Sequence, residues 1–241
     1  MLKNRPIWKI INEICDEENI TIKTISFGYI TELQKDNKKR RIVGNSLEMN
    51  TANSYKIASD KYATYEMLKL YNIPTIKHYM IFNPETRSDF SNNEIEKANK
   101  IFEDNNRNII LKSNDSSEGK FVFKINDKKE LQDTIANLFK DKKDTLSICP
   151  FYEIDYEYRA IYLDGEILFI YQKEKPFVIG NGIDSLENLV SKTDIQDLCV
   201  TLDLNYVPYK DEKIVVSWKH NLSRGAIPTR ITNIELKNKI E

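Results

Sequence analysis

The chain has 241 residues, sets 36 Lys and Arg against 37 Asp and Glu for a net charge of -1, and is 40% hydrophobic and 10% aromatic. Such a composition can fill a core and excludes a disordered chain or a general polyanion-coating one. No apolar run approaches the ~20 residues of a membrane-spanning helix, and no secretory signal is visible at the start, so a cytoplasmic location is expected.

Pro6, at a first helical position, followed by Ile7, Trp8, Ile10, Ile11 and Ile14, predicts an opening amphipathic helix. Ile20, Ile22 and residues 25–27 read as a strand closed by Gly28, and residues 38–43 as a second short strand. From Ser59 as N-cap, Tyr62, Tyr65, Met67, Leu68 and Leu70 run helically until Pro74 forbids continuation, and residues 76–82 read as strand. Residues 92–103 predict a helix, 108–111 a strand ended by Lys112, 113–120 a polar loop, 121–125 a strand and 128–139 a helix. A strand at 146–148 and a connector at 150–155 precede two strands, 156–162 and 166–172, joined as a hairpin around Asp164-Gly165. There is no repeat and no clean linker.

Cys15, Cys149 and Cys199 are too few and too far apart for a disulfide scaffold or a metal knuckle and read as reduced and structural. Neither His78 nor His220 has a partner at metal-ligand spacing, so no residue is assigned to a metal.

Chemistry concentrates where Ile109-Ile110-Leu111 delivers Lys112 into Ser113-Asn114-Asp115-Ser116-Ser117-Glu118-Gly119-Lys120, which the next strand carries away. Backbone N–H groups of small residues with a lysine beside them suit polyphosphate, although the segment taken alone reads equally well as a surface turn. It is not a Walker loop, whose spacing and following helix are missing.

Four segments in order resemble the ATP-grasp ligases, in particular the branch with cyanophycin synthetase and the glutamate-adding ligases. The first is Asp60-Lys61 followed by a helix and Ile73-Pro74-Thr75; the second is the Lys112 loop, with Ser113 where the family has proline and Ser116 and Phe121 where glycines are common. The third, residues 148–159, is similar to the hinge that holds adenine by its backbone, with Pro150 and Asp155 departing from the usual glutamate and glycine. The fourth joins residues 173–182 to Asn221-Leu222-Ser223-Arg224-Gly225.

The resemblance implies an α+β ATP-grasp fold with two subdomains clasping a nucleotide: a preface at 1–55, a small subdomain at 56–149 and a large, C-terminally incomplete one at 150–241. It implies an ATP-dependent carboxylate–amine ligase that forms an amide or peptide bond through an acyl phosphate, on an amino acid or peptide-like substrate, with ATP and Mg2+ as cofactors and a homodimer possible. By position, Lys61 and Lys112 with Ser116, Ser117 and Gly119 would hold the α- and β-phosphates, and Lys173 or Lys175 the γ-phosphate. Phe151, Tyr152 and Glu153 would hold the base, Glu157 the ribose, and Arg159, Arg224 and Asn221 would act on the acyl phosphate or substrate carboxylate. The family's magnesium carboxylates come after the Asn-Leu-Ser-x-Gly segment, where this chain offers only Glu235 and Glu241. A non-catalytic nucleotide-binding module is therefore the alternative function.

Overall fold

The computed structural model describes residues 6–44, 46–90, 93–116, 121–193, 195, 198, 202–218 and 229–231. The chain divides into two compact units, Met1–Tyr71 and Asn72–Glu241, each mixed α and β.

The first unit opens with helix α1 (Pro6–Glu17) and continues as an antiparallel meander of β1 (Thr21–Ile25), β2 (Ile30–Lys35), β3 (Lys38–Val43) and the two-residue β4 (Ser46–Leu47). The expected preface had only two strands; β2 was overlooked although Asp36-Asn37 separates two strand-length runs. Asp36 takes a φ of +51°, which the tight hairpin turn between Lys35 and Lys38 requires. Among the described residues of the unit, Trp8, Cys15, Thr31 and Ile42 are buried outside its last helix. Two helices follow, α2 (Ala52–Ser59), capped by Thr51, and α3 (Lys61–Leu70), capped by Asp60, whose carboxylate accepts from Ala63 N at 2.7 Å. The sequence reading put the cap on Ser59. Asp60 takes the role because Ser59 still belongs to the preceding helix.

In the second unit a four-stranded antiparallel sheet has the order β5 (Tyr79–Phe82), β8 (Thr145–Pro150), β6 (Ile109–Ser113), β7 (Val122–Ile125). Helices α4 (Glu94–Asp104) and α5 (Lys128–Lys140) supply Ala98, Ile101, Phe102, Leu131, Ile135 and Leu138 to one core with Ile81, Ile109, Leu111, Ile125, Leu146 and Ile148 of the sheet. Strand side chains alternate, so this core uses one sheet face, and Ile110, Lys112, Ser147 and Cys149 lie on the other. Strand β6 continues through Lys112 to Ser113 instead of ending at Lys112, because Lys112 still pairs with Ser147 and Val122.

Beyond β8, the hairpin of β9 (Glu157–Leu163) and β10 (Glu166–Lys173) turns at Asp164 and Gly165, both with positive φ, and β13 (Thr229–Ile231) adds to the far side of β10. Strands β11 (Phe177–Ile179) and β12 (Lys213–Val215) pair beside helix α6 (Leu186–Ser191), with Val178, Leu186, Val190, Ile195 and Val216 forming a second core. Gly180 runs so close to residues 208–209 that a Cβ there would lie 2.7 Å from Pro208 Cβ and closer still to Tyr209 O. Among the described residues no helix is long and apolar enough to cross a membrane.

Candidate nucleotide site

The face of the β5-β8-β6-β7 sheet opposite the α4–α5 core is laid out by its register. One rung sets Met80, Ser147, Lys112 and Val122 side by side across all four strands, and the next sets Cys149, Ile110 and Lys124 across three. Lys112 is half-buried, while Ser147, Cys149 and Ile110 are buried. Burial pushes the Cys149 thiol above its ordinary range, and the charge of Lys112 and its hydrogen bond to the sulfur pull the other way without cancelling it. The lysine thus stands over the sheet with a neutral thiol beside it.

The loop that follows Lys112 is pinned at its base. Ser113 N donates to Phe121 O at 3.1 Å, Asn114 N to Thr145 O at 3.2 Å, Ser113 Oγ to Asp115 Oδ1 at 2.7 Å and Ser116 Oγ to Ser113 O at 3.2 Å. Phe121, in a position where the resembled pattern has glycine, adopts a φ of +54°, a conformation that costs an L-residue ~1–2 kcal/mol. Its ring lies under Lys143, with Nζ 4.5 Å from the centroid. Ser117 and Gly119 lie outside the described residues.

The hinge leaves β8 at Pro150. Phe151 N donates to Asn108 O at 3.1 Å, and the Phe151 ring meets Lys124, whose Nζ is 3.8 Å from the centroid, and Trp218, in an edge-type contact at 6.1 Å. A cation over a ring face and an edge-to-face pair both hold an aromatic group in a defined orientation. Tyr152 and Glu153 are exposed in a stretch without regular secondary structure.

Two ion pairs tie this hinge to the end of β10. Glu157 stands opposite Lys173 in the β9–β10 ladder and the two side chains form a close ion pair, while Lys175 Nζ lies 2.8 Å from Glu153 Oε1. Between them Glu174 turns the other way, to Lys213 at 3.2 Å. The residues expected at the ribose and the γ-phosphate are thus brought together as salt-bridged partners. Arg159 is exposed on β9, opposite Tyr171, which in turn is opposite Arg230 of β13. Asn221 and Arg224 lie outside the described residues, and Lys61 begins α3 in the first unit, half-buried.

Sequence reasoning missed Lys124, Ser147 and Trp218. Lys124 could have been found only from the pairing of β6 with β7, which puts it on the Lys112 face; Ser147 lies in a strand that reads as plain apolar filler.

No protein-family model matches the chain, and no curated protein matches it. Among solved structures it is similar to a bifunctional glutathione synthetase from Pasteurella multocida, at 15% identity and a TM-score of 0.47 over 91% of this chain and 32% of that one. It is also similar to a D-alanine–D-alanine ligase from Bacillus anthracis, at 15% identity and a TM-score of 0.46 over 78% of this chain and 46% of that one. A D-alanine–D-alanine ligase from Helicobacter pylori aligns at 12% identity and a TM-score of 0.37, over 67% and 64% of the two chains. The chain thus spans less than half the length of the first two of these structures.

Proposed function

We propose that the chain is the nucleotide-holding part of an ATP-dependent carboxylate–amine ligase of the ATP-grasp kind, acting on an amino acid or peptide-like substrate. The observation that carries the reading is the placement of Lys112 on the sheet face opposite the α4–α5 core, one strand away from the β8 hinge that leads directly into Glu157 and Arg159. The ordered sequence resemblance supports it, with residues 56–149 and 150–241 as the two subdomains.

A carboxylate is a poor acyl donor because its leaving group would be oxide. Bound ATP supplies the phosphoryl group that turns it into an acyl phosphate, which an amine can attack with release of phosphate. The protein's part is positioning and charge compensation. Lys112 and Lys124 offer fixed positive charge to phosphate oxygens, and the backbone of Phe151, Tyr152 and Glu153 offers the edge against which a base can be held. Glu157 accepts from ribose hydroxyls when Lys173 turns to phosphate, and Arg159 offsets charge that develops on the carboxyl group. Magnesium is the other cofactor that the resemblance implies. Among the described residues no three His, Cys, Asp or Glu side chains lie together to hold a metal, and no step is assigned to the ion.

A second reading, a nucleotide-binding module without turnover, is favoured by one observation: Lys173 and Lys175 are each already compensated by a carboxylate. The deciding experiment incubates the chain with ATP, magnesium and a panel of amino acids and short acidic peptides while ADP and phosphate are measured. Substrate-dependent ADP release is expected for the ligase, whereas binding of ADP without turnover would select the module. A folded protein that binds neither ATP nor ADP in calorimetry would overturn both readings.

A further inference from the structure

The two lysines of the sheet face opposite the α4–α5 core differ from Lys173 and Lys175 in what holds them. Lys173 and Lys175 are each closed by a carboxylate. Lys112 and Lys124 are half-buried, and among the described residues neither lies in an ion pair. The register supplies their partners. Cys149 stands opposite Ile110, one step along the ladder from the rung of Lys112 and Ser147, so it is a diagonal neighbour of Lys112 on the same face. Such neighbours lie ~7–8 Å apart, within reach of a long side chain, and the lysine hydrogen-bonds to the buried sulfur. On the other side Ile110 faces Lys124 of β7, whose Nζ stands 3.8 Å from the centroid of the Phe151 ring. That ring is itself fixed, by the bond from Phe151 N to Asn108 O and by the edge contact with Trp218.

Both partners share one property: neither carries a net charge. A thiol that burial keeps protonated is a weak acceptor, and a phenyl ring offers only its quadrupole. A carboxylate in either place would fix the ammonium group as well, but it would cancel most of the field at a phosphate. It would also have to be separated from the lysine before phosphate could replace it. A lysine with no partner at all keeps its charge and loses its position, because its long flexible stem spreads the ammonium over many rotamers. A neutral partner gives placement and full charge together, and less ordering remains to be done when the anion arrives.

We propose that Cys149 and the Phe151 ring are positioning residues of the phosphate-holding face, which hold Lys112 and Lys124 in place without neutralising them, so that both ammonium groups meet the phosphates of a nucleoside polyphosphate with their charge intact. The inference rests on the nucleotide reading above and adds to it two side chains that act through the lysines. Side chains that merely filled the sheet face would alter stability when replaced and leave the preference for phosphate unchanged.

The test measures the ratio of ADP to adenosine affinity by calorimetry at physiological salt, on the full chain and on Cys149→Val, Cys149→Ser, Phe151→Leu and Phe151→Tyr. The ratio isolates the phosphates, because an effect on the base is common to both ligands. Cys149→Val keeps a small apolar side chain and removes the acceptor; Phe151→Leu keeps an apolar group and removes the ring face. Each is expected to lower the ratio about three- to tenfold, part of a screened interaction between an ammonium group and phosphate. Cys149→Ser and Phe151→Tyr, which keep the acceptor and the ring, hold it within about twofold of the parent. Circular dichroism on the same samples reports folding, and should the variants at one position fail to fold, those at the other decide. An unchanged ratio in folded Cys149→Val or in folded Phe151→Leu overturns the proposal and leaves the nucleotide reading standing. So does a loss in Cys149→Ser as large as that in Cys149→Val, which would mark the position as one of packing alone. A parent chain that binds no ADP, or binds it no more tightly than adenosine, overturns both.

Discussion

Replacing Lys112 by methionine keeps the length of the aliphatic stem and removes the charge, so it isolates what the ammonium group contributes. A unit charge 4 Å from a phosphate oxygen is worth ~1 kcal/mol in water and ~4 kcal/mol at the effective dielectric of a site near a protein surface. Lys112 is half-buried on its sheet face, which puts the expected loss between these limits, at ~2–3 kcal/mol, or a weakening of ADP binding by about 30- to 150-fold. Adenosine binding should change by less than about twofold, because the interaction removed is with phosphate. The fold should tolerate the change, since a methionine side chain fits the same strand position between Ser147 and Val122 without stranding a buried charge. The assay is calorimetric titration with ADP and adenosine at physiological salt, with circular dichroism on the same samples. A folded Lys112→Met protein with ADP affinity within about threefold of the parent would refute the assignment of this face to phosphate.

Four further outcomes follow from the same geometry. Phe121→Gly should be more stable than Phe121→Ala by ~1 kcal/mol in urea unfolding, reversing the usual order, because φ at this position is +54° and only glycine adopts it freely. Gly180→Ala should cost ~3 kcal/mol, since the new methyl group would sit 2.7 Å from Pro208 Cβ and against the backbone of Tyr209; an unchanged melting temperature would mean that the close approach is not real. Glu153→Gln should leave stability within ~0.5 kcal/mol, as its ion pair is largely exposed, and should raise ATP affinity about twofold by releasing Lys175; a fall in affinity would contradict the role given to that lysine. The raised Cys149 thiol is protonated in the fold, so its contribution is complete below the ordinary thiol range and is lost as pH rises from that range through the raised folded value. Melting temperatures should therefore fall above about pH 8.5, and less steeply in Cys149→Ala.

Elements whose residues meet one packed face were legible in the sequence. Leu131, Ile135 and Leu138 on α5 repeat at helical spacing because they enter the core together, and Asp127 caps the helix by accepting from Glu130 N at 2.9 Å. Helix α2 was missed because it buries nothing; with no apolar stripe it rests on the Thr51 cap and local propensity. The lysines and the hinge could be named from their order along the chain. The face they share could not, because it is created by strand pairings between residues as far apart as Lys112 and Ser147.

The ion pair between Glu157 and Lys173 shows how little it takes to escape a sequence reading. The Asp164-Gly165 turn sets Leu163 opposite Glu166 and Tyr162 opposite Ile167, and that register continued without interruption would place Glu157 opposite Gln172. Lys173 would then fall on the other face of the hairpin. A bulge between Ile167 and Phe169 inserts one residue into β10, so that Ile161 meets Phe169 and every later pair shifts by one, bringing Glu157 against Lys173. Deleting Leu168 should therefore remove the bulge and restore an uninterrupted ladder in which Phe169 still meets Ile161 and Lys173 still meets Glu157. If binding needs the ribose carboxylate and the phosphate lysine on one face, that deletion should leave ADP binding in place, and loss of ADP binding in a chain whose hairpin still forms would show that the bulge itself, and not the pairing, is what binding requires.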